Sequence, residues 1–160
     1  MDERAKYKAD LLREIGNIDV TKIVDLVNAN QKEAFIGRTK AIILLQYLKN
    51  TGQFKEIQKY KHSSFADFME NEYGIREESF NESLFVLENH FEAAQKYGIG
   101  VIAKIRRTCG ASKVPVVLKA ITDEESKLKN PLPHNKILDI IKMYKKVLEM
   151  KKSDIKTRQE

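Results

Sequence analysis

The chain has 160 residues, with 29 Lys and Arg against 23 Asp and Glu, which gives a formal net charge of +6 at pH 7. A hydrophobic share of 42% suffices for one globular domain with at most an appended element. One cysteine excludes a disulfide framework and a cysteine-based zinc site, which favours a cytoplasmic protein. No apolar run reaches the roughly 18 residues of a membrane span, so we expect no membrane contact.

Apolar residues recur at intervals of three and four, which predicts an all-α protein, and no segment resembles a strand. A first helix is expected over residues 3–15. A second apolar stripe begins at Val20, with Asp19 as its N-cap. From Glu33 to Asn50 apolar side chains lie nearly all round the predicted helix, which is typical of a helix in the middle of a bundle.

The next segment predicts two short helices joined by a glycine turn. Ser64 can cap a helix that runs to Tyr73, and Gly74 suits the left-handed position that ends a helix. A second helix follows over 76–89, with Phe80 available to pack back on the first. This layout is that of a helix-turn-helix, in which the second helix presents its first residues to base edges. An ordinary helical hairpin is the alternative.

The second helix of this pair carries mixed signals for nucleic-acid contact. Three glutamates between residues 77 and 82 oppose the approach of phosphate. Arg76, Ser79 and Asn81 are donors and acceptors that can reach base edges. We therefore expect limited base reading from the start of this helix.

Charge is distributed unevenly along the middle of the chain. Residues 61–92 contain two cations and eight carboxylates, whereas residues 93–122 contain six cations and no carboxylate. A basic surface of this kind favours a polyanion, because each neutralised phosphate releases condensed counterions. A solvated helix face is the alternative. The six cations are Lys96, Lys104, Arg106, Arg107, Lys113 and Lys119.

Three short helices are expected in this basic segment, over 93–97, 101–108 and 113–121. Ser112 is the predicted N-cap of the third, and helix N-termini of this kind favour phosphate. The glycine spacing is not that of a Walker A loop, so we expect no nucleotide hydrolysis. The three histidines are far apart and Cys109 has no local partner, so we expect no catalysis, no bound metal and no cofactor, with Cys109 packed in the core.

The C-terminal part is predicted to be a separate element. Two prolines within 123–134 indicate a linker, and the helix beyond it is followed by a charged tail over 151–160 that we expect to fray. The helix carries one apolar stripe that either completes the core of the monomer or pairs with a second copy as a homodimer. That stripe consists of Ile137, Ile140, Ile141, Tyr144, Val147 and Leu148.

A family resemblance rests on the order of these features. The run Thr39-Lys-Ala-Ile-Ile-Leu-Leu, then Ser-Phe-x-x-Phe-x-x-x-x-Tyr-Gly-Ile from Ser64, then a polar helix and a Gly-rich basic segment, resembles the helix-turn-helix region of plasmid partition and phage-type DNA-binding proteins broadly similar to ParB. It covers about residues 36–121. The resemblance implies DNA binding on a mobile element, with the helix after Ile75 as the reader.

The combined prediction is an all-α, non-enzymatic protein that binds double-stranded DNA. It is a multi-helix bundle with an appended C-terminal helix, and its role would be a plasmid or phage maintenance factor or a transcriptional regulator. Residues 1–126 would form the DNA-binding domain and residues 127–160 the linker, helix and tail. The alternative is a helical protein-interaction module that uses opposed acidic and basic faces.

Overall fold

The computed structural model describes residues 2–16 and 20–157, and within them it contains eight α-helices, three short 3₁₀ helices and no strand. The all-α prediction is thus confirmed. The predicted N-cap Asp19 lies outside the described residues. The helices are α1 (Glu3–Ile15), α2 (Val20–Thr51), α3 (Phe65–Tyr73), α4 (Glu77–Asn89), α5 (Phe91–Tyr97), α6 (Ile99–Cys109), α7 (Val114–Leu128) and α8 (His134–Thr157).

The chain divides into two compact units, residues 1–41 and 42–160, and the division falls inside α2. The first unit consists of α1 and the first part of α2. Helix α1 begins where the carboxylate of Asp2 accepts a hydrogen bond from the backbone N–H of Arg4, and it ends before Gly16. Among the side chains that the structure describes in this unit, Thr39 alone is buried. The first unit therefore has almost no interior of its own.

One core of the second unit is formed by the end of α2, two 3₁₀ helices (Gln53–Glu56 and Gln58–Tyr60), α3 and α4. Its α2 residues are Ile42 and Leu45, which point to one side of that helix. On the other side Ile43, Leu44 and Tyr47 are 54–63% exposed. The prediction that residues 33–50 are buried nearly all round is wrong, because α3 and α4 cover one face only.

The most buried helix of the second unit is α6. It packs against α4, α5, α7 and α8, and six of its eleven residues are buried. Its sequence is shorter and more basic than that of α2, so composition alone does not reveal its central position. The buried α6 residues are Ile99, Val101, Ile102, Ala103, Ile105 and Cys109.

Helix α7 extends through the first half of the predicted linker. It runs to Leu128, so only residues 129–133 connect it to α8, and the predicted boundary between residues 126 and 127 falls inside the helix. Ser112 is not the N-cap that the sequence predicted, since it belongs to the 3₁₀ helix Ala111–Lys113 that precedes α7. Pro115 lies in the first turn of α7, where the backbone needs no donor.

Helix α8 belongs to the core of its own chain. Ile137 and Ile141 are 5% and 1% exposed, and the Cys109 thiol lies 3.8 Å from the Ile141 carbonyl oxygen. Of the two alternatives for this stripe, Ile137 and Ile141 follow the first, since they complete the core of their own chain beside α6 and α7. The helix continues to Thr157, into the charged tail over 151–160.

Candidate nucleic-acid interface

The pair α3 and α4 lies where the sequence predicted two helices and a glycine turn. The Ser64 hydroxyl accepts a hydrogen bond from the Asp67 N–H at 3.0 Å, and the Asp67 carboxylate accepts one from the Ser64 N–H at 3.4 Å. This capping box begins α3. Gly74 ends the helix with φ +65°, and its N–H donates to the Glu70 carbonyl at 3.0 Å. Two residues separate Gly74 from the beginning of α4 at Glu77.

Aromatic contacts hold the two helices together. The rings of Phe65 in α3 and Phe80 in α4 lie 5.8 Å apart between centroids in an edge-to-face arrangement. The rings of Tyr60 and Phe68, 5.1 Å apart, join the 3₁₀ helix Gln58–Tyr60 to α3. Such pairs stabilise a core beyond the area they bury. Phe68 and Phe80 are at most 1% exposed, so this packing fixes the angle at which α4 leaves the turn.

The first turns of α4 leave the predicted base-reading groups open to solvent. Arg76 occupies the N-cap position without a side-chain cap, and the side chains of Arg76, Ser79 and Asn81 are exposed. Within the described parts of the chain, none of the three makes a side-chain hydrogen bond or ion pair. Glu77 and Glu78 share this turn, where carboxylates are favoured by the helix dipole.

Two of the predicted phosphate-binding cations contact α4 instead. Arg107 donates to the Glu82 carboxylate at 2.6 Å, and the side chain of Glu82 is only 17% exposed. The Arg106 guanidinium lies 4.1 Å from the centroid of the Phe85 ring, which is cation–π geometry. The acidic helix and the basic helix therefore neutralise part of each other. Arg107 serves the fold in this arrangement, and Glu82 no longer acts as a free negative charge on α4.

A second pair uses Lys96. The buried carboxylate of Glu125 accepts hydrogen bonds from Lys96 Nζ at 2.5 Å, from the Tyr97 hydroxyl at 2.8 Å and from the Leu132 N–H at 3.2 Å. Burial raises the pKa of Glu125, but these three donors outweigh it and the net shift is downward. Glu125 thus joins α5, α7 and the connection to α8.

Lys119 is also paired, with Asp123 one turn further along α7 at 2.9 Å. This pair is exposed, and pairs of that kind contribute at most about 0.5 kcal/mol in a helix. Three of the six predicted phosphate contacts therefore already have a carboxylate partner within the chain. Lys104 and Lys113 are exposed, and their side chains make no hydrogen bond or ion pair with the residues described.

Helix α8 supplies cations that the sequence interpretation left outside the site. Between residues 96 and 153, all of which the structure describes, the side chains of eight lysines make no hydrogen bond or ion pair. Asp139 is the single carboxylate there without a hydrogen bond or ion pair to its side chain. Six of those lysines follow α7, because the C-terminal helix is strongly basic. We call these eight side chains the basic surface: Lys104, Lys113, Lys129, Lys136, Lys142, Lys146, Lys151 and Lys152.

Contact between α6 and α8 brings part of the basic surface together. Lys104 lines a cavity of about 360 Å³ with His134 and Leu138, so it lies beside the beginning of α8. Lys142 follows Leu138 by four residues and is therefore on the same side of that helix. Lys104 and Lys142 are 38 residues apart in the sequence, so this grouping depends on the packing of α6 against α8.

The remaining chemistry of the described residues is limited. They contain no group of three or more His, Cys, Asp or Glu suited to a metal ion. Cys109 is 8% exposed, and burial raises the pKa of its thiol, which fits the predicted place in the core. No helix among them combines the length and apolar character needed to cross a membrane.

Comparisons with protein-family models, curated proteins and solved structures found no match to this chain. The resemblance to ParB-like proteins consequently depends on the sequence layout of residues 36–121. The function of this chain is therefore inferred from the surfaces of its helices.

Proposed function

We propose that the protein binds double-stranded DNA in the cytoplasm, without catalysis, as a plasmid or phage maintenance factor or transcriptional regulator. The observation that carries this proposal is the excess of free cations on residues 96–153. Eight lysines there are unpaired and only Asp139 offsets them, even after the ion pairs among the described residues are taken into account. Both strands of a duplex together carry one phosphate per roughly 1.7 Å, so a surface of this charge is attracted to it at any sequence.

Helix α4 is the proposed base-reading element, with the layout of a helix-turn-helix. Arg76, Ser79 and Asn81 have exposed side chains, and the bond from Arg107 neutralises Glu82 on the same helix. Arginine pairs with guanine and asparagine with adenine in the major groove. Glu77 and Glu78 remain exposed, so this helix contributes discrimination and little affinity, while the basic surface contributes most of the affinity.

Salt dependence tests the docking role. Binding of a fluorescein-labelled duplex is measured by anisotropy at several salt concentrations for the wild type and for Lys104→Ala with Lys113→Ala. We expect the double variant to lower the slope of log affinity against log salt by about 1.8, at roughly 0.9 per lost phosphate contact. The matched control is Lys55→Ala with Lys61→Ala, which removes two exposed cations elsewhere. Equal effects of the two double variants would show that the basic surface has no special role.

A separate measurement tests base reading. A duplex selected from a random pool by the wild-type protein is compared with a scrambled duplex of the same composition. Asn81→Ala should reduce the preference for the selected duplex by about 1–3 kcal/mol while affinity for the scrambled one is retained. Glu88→Gln, near the end of the same helix, is the control. If Asn81→Ala leaves the preference intact, α4 is not the reader at that position.

One observation favours a second candidate function, a protein-interaction module. The exposed acids Glu70, Glu77 and Glu78 lie on α3 and α4, and no ion pair joins any of them to a cation of the described chain. A basic protein partner would bind this face. This function would be favoured over DNA binding if the wild-type protein bound no duplex at any salt concentration but bound a basic protein partner. Glu77→Lys should then abolish the binding of that partner.

A further inference from the structure

In the first unit α2 exposes apolar side chains on more than one side, and three of them share one face. Leu26 and Ile36 are 46% and 40% exposed, and Ala29 between them is exposed as well. Their spacing of three and seven residues places them on the same face. Helices gain most of their stability from packing an apolar face, yet in this unit Thr39 is the one buried side chain among those described. The face therefore lacks a partner within its own unit.

The charge of this unit argues against a nucleic acid or a membrane as the partner. Residues 1–41 contain eight cations and seven carboxylates, so the unit is close to neutral in a chain of net charge +6. Polyanions and anionic lipid surfaces require an excess of cations. A near-neutral surface with mixed signs instead permits two copies to approach without repulsion.

The charges on this face are self-complementary. Asp25, Lys32, Glu33 and Lys40 are exposed and make no ion pair in the described part of the chain. If two copies of α2 run antiparallel about a two-fold axis at residues 32–33, Asp25 lies opposite Lys40 of the second copy and Lys32 lies opposite Glu33. Symmetry produces each pair twice, and no like charges among these four residues oppose each other.

The same register suits the uncharged residues. It places Ala29 opposite Ile36 of the second copy, so a small side chain faces a large one. Gly37 is next to Ile36, and a Cβ built at that position would meet nothing within 4 Å. Glycine inside a helix costs about 1 kcal/mol relative to alanine, and close approach of another helix is one use for that space.

We propose that residues 25–40 of α2 form a two-fold, antiparallel contact with a second copy of the chain. This inference goes beyond the proposed function, since assembly is defined without DNA. A homodimer through α8 is one of two alternatives from the sequence, but Ile137 and Ile141 are enclosed in their own chain, and α2 provides another surface. A helix pair of this length is small for a dimer interface, so we expect dissociation in the range of about 10 µM.

Sedimentation equilibrium of the full chain without DNA tests the proposal, from about 1 to about 200 µM. Lys40→Glu alone and Asp25→Lys alone each place like charges opposite each other twice, and each should weaken dimerisation by about tenfold at low salt. The double substitution restores opposite charges and should recover the wild-type affinity. Lys61→Glu, which makes the same charge change outside this face, should leave the affinity within about twofold.

Circular dichroism of each variant confirms that the helices are retained. A wild-type chain that stays monomeric at the highest concentration overturns the second copy as the partner. Single variants that weaken assembly without recovery in the double variant overturn the antiparallel register. Duplex binding is measured in a separate experiment. A chain that does not dimerise would therefore overturn this inference without overturning the proposed DNA binding.

Discussion

Removal of the Glu125 carboxylate should destabilise the second unit by a calculable amount. In Glu125→Ala the Tyr97 hydroxyl and the Leu132 N–H each lose an acceptor in a partly buried position, at about 1 kcal/mol each. Lys96 is 53% exposed and can be solvated, so its pair contributes only about 0.5 kcal/mol. The total of about 2.5 kcal/mol corresponds to a fall of roughly 10 °C in Tm for a unit of this size.

Thermal unfolding followed by far-UV circular dichroism at pH 7 measures this effect. Glu124→Ala is the matched control, because that neighbouring carboxylate is 45% exposed and pairs only with Lys127 one turn away. Its cost should stay within about 0.5 kcal/mol. A Glu125→Ala protein that melts within about 1 °C of the wild type would refute the stabilising role assigned to the cluster.

The pH dependence gives an independent check on the same residue. The pKa of Glu125 is lowered in the folded chain from its ordinary value of 4.5, so the folded state favours the ionised form. The resulting stabilisation is fully present above pH 4.5 and is lost as the pH falls through the folded pKa. The stability difference between the wild type and Glu125→Gln should therefore shrink in acid. A difference that stays constant or grows below pH 4.5 would contradict this assignment.

Three further predictions concern the fold. Gly74→Ala should lower the free energy of unfolding by about 1 kcal/mol, because φ is +65° there although the space around it is open. Gly100→Ala, inside α6 with open space and no positive φ, should raise the free energy of unfolding by about 0.5 kcal/mol. Urea unfolding of the two variants distinguishes backbone strain from crowding. Phe68→Ala should cost about 3–5 kcal/mol and Phe91→Ala, 45% exposed in the wild type, under about 1.5 kcal/mol; equal costs would contradict the core assignment. The buried Cys109 thiol should react with a disulfide reagent much more slowly in the native chain than in denaturant, and rapid native reaction would show that it is accessible.

The boundaries of α3 and α4 could be predicted from the sequence because their signals are local. Ser64 and Asp67 form a capping box within four residues, and Gly74 adopts the one backbone conformation that favours glycine. Such signals act through neighbours in the chain, so no knowledge of packing is needed. The linker prediction over 123–134 failed because the prolines follow α7 and do not interrupt it. Helix α7 runs to Leu128, and apart from the buried Glu125 the polar residues over 123–127 are accessible to solvent on that helix.

Tertiary structure decided which faces and which charges remain available. Helical periodicity identified an apolar face on α2 and on α8, but it could not show that Ile141 is enclosed while Leu44 is open. The acid-free segment predicted six free cations, whereas Arg107 pairs with Glu82 across 25 residues and Lys96 with Glu125 across 29. A charge is neutralised by whatever the fold places beside it, and contacts at that separation depend on how the helices pack rather than on the order of residues within any one of them.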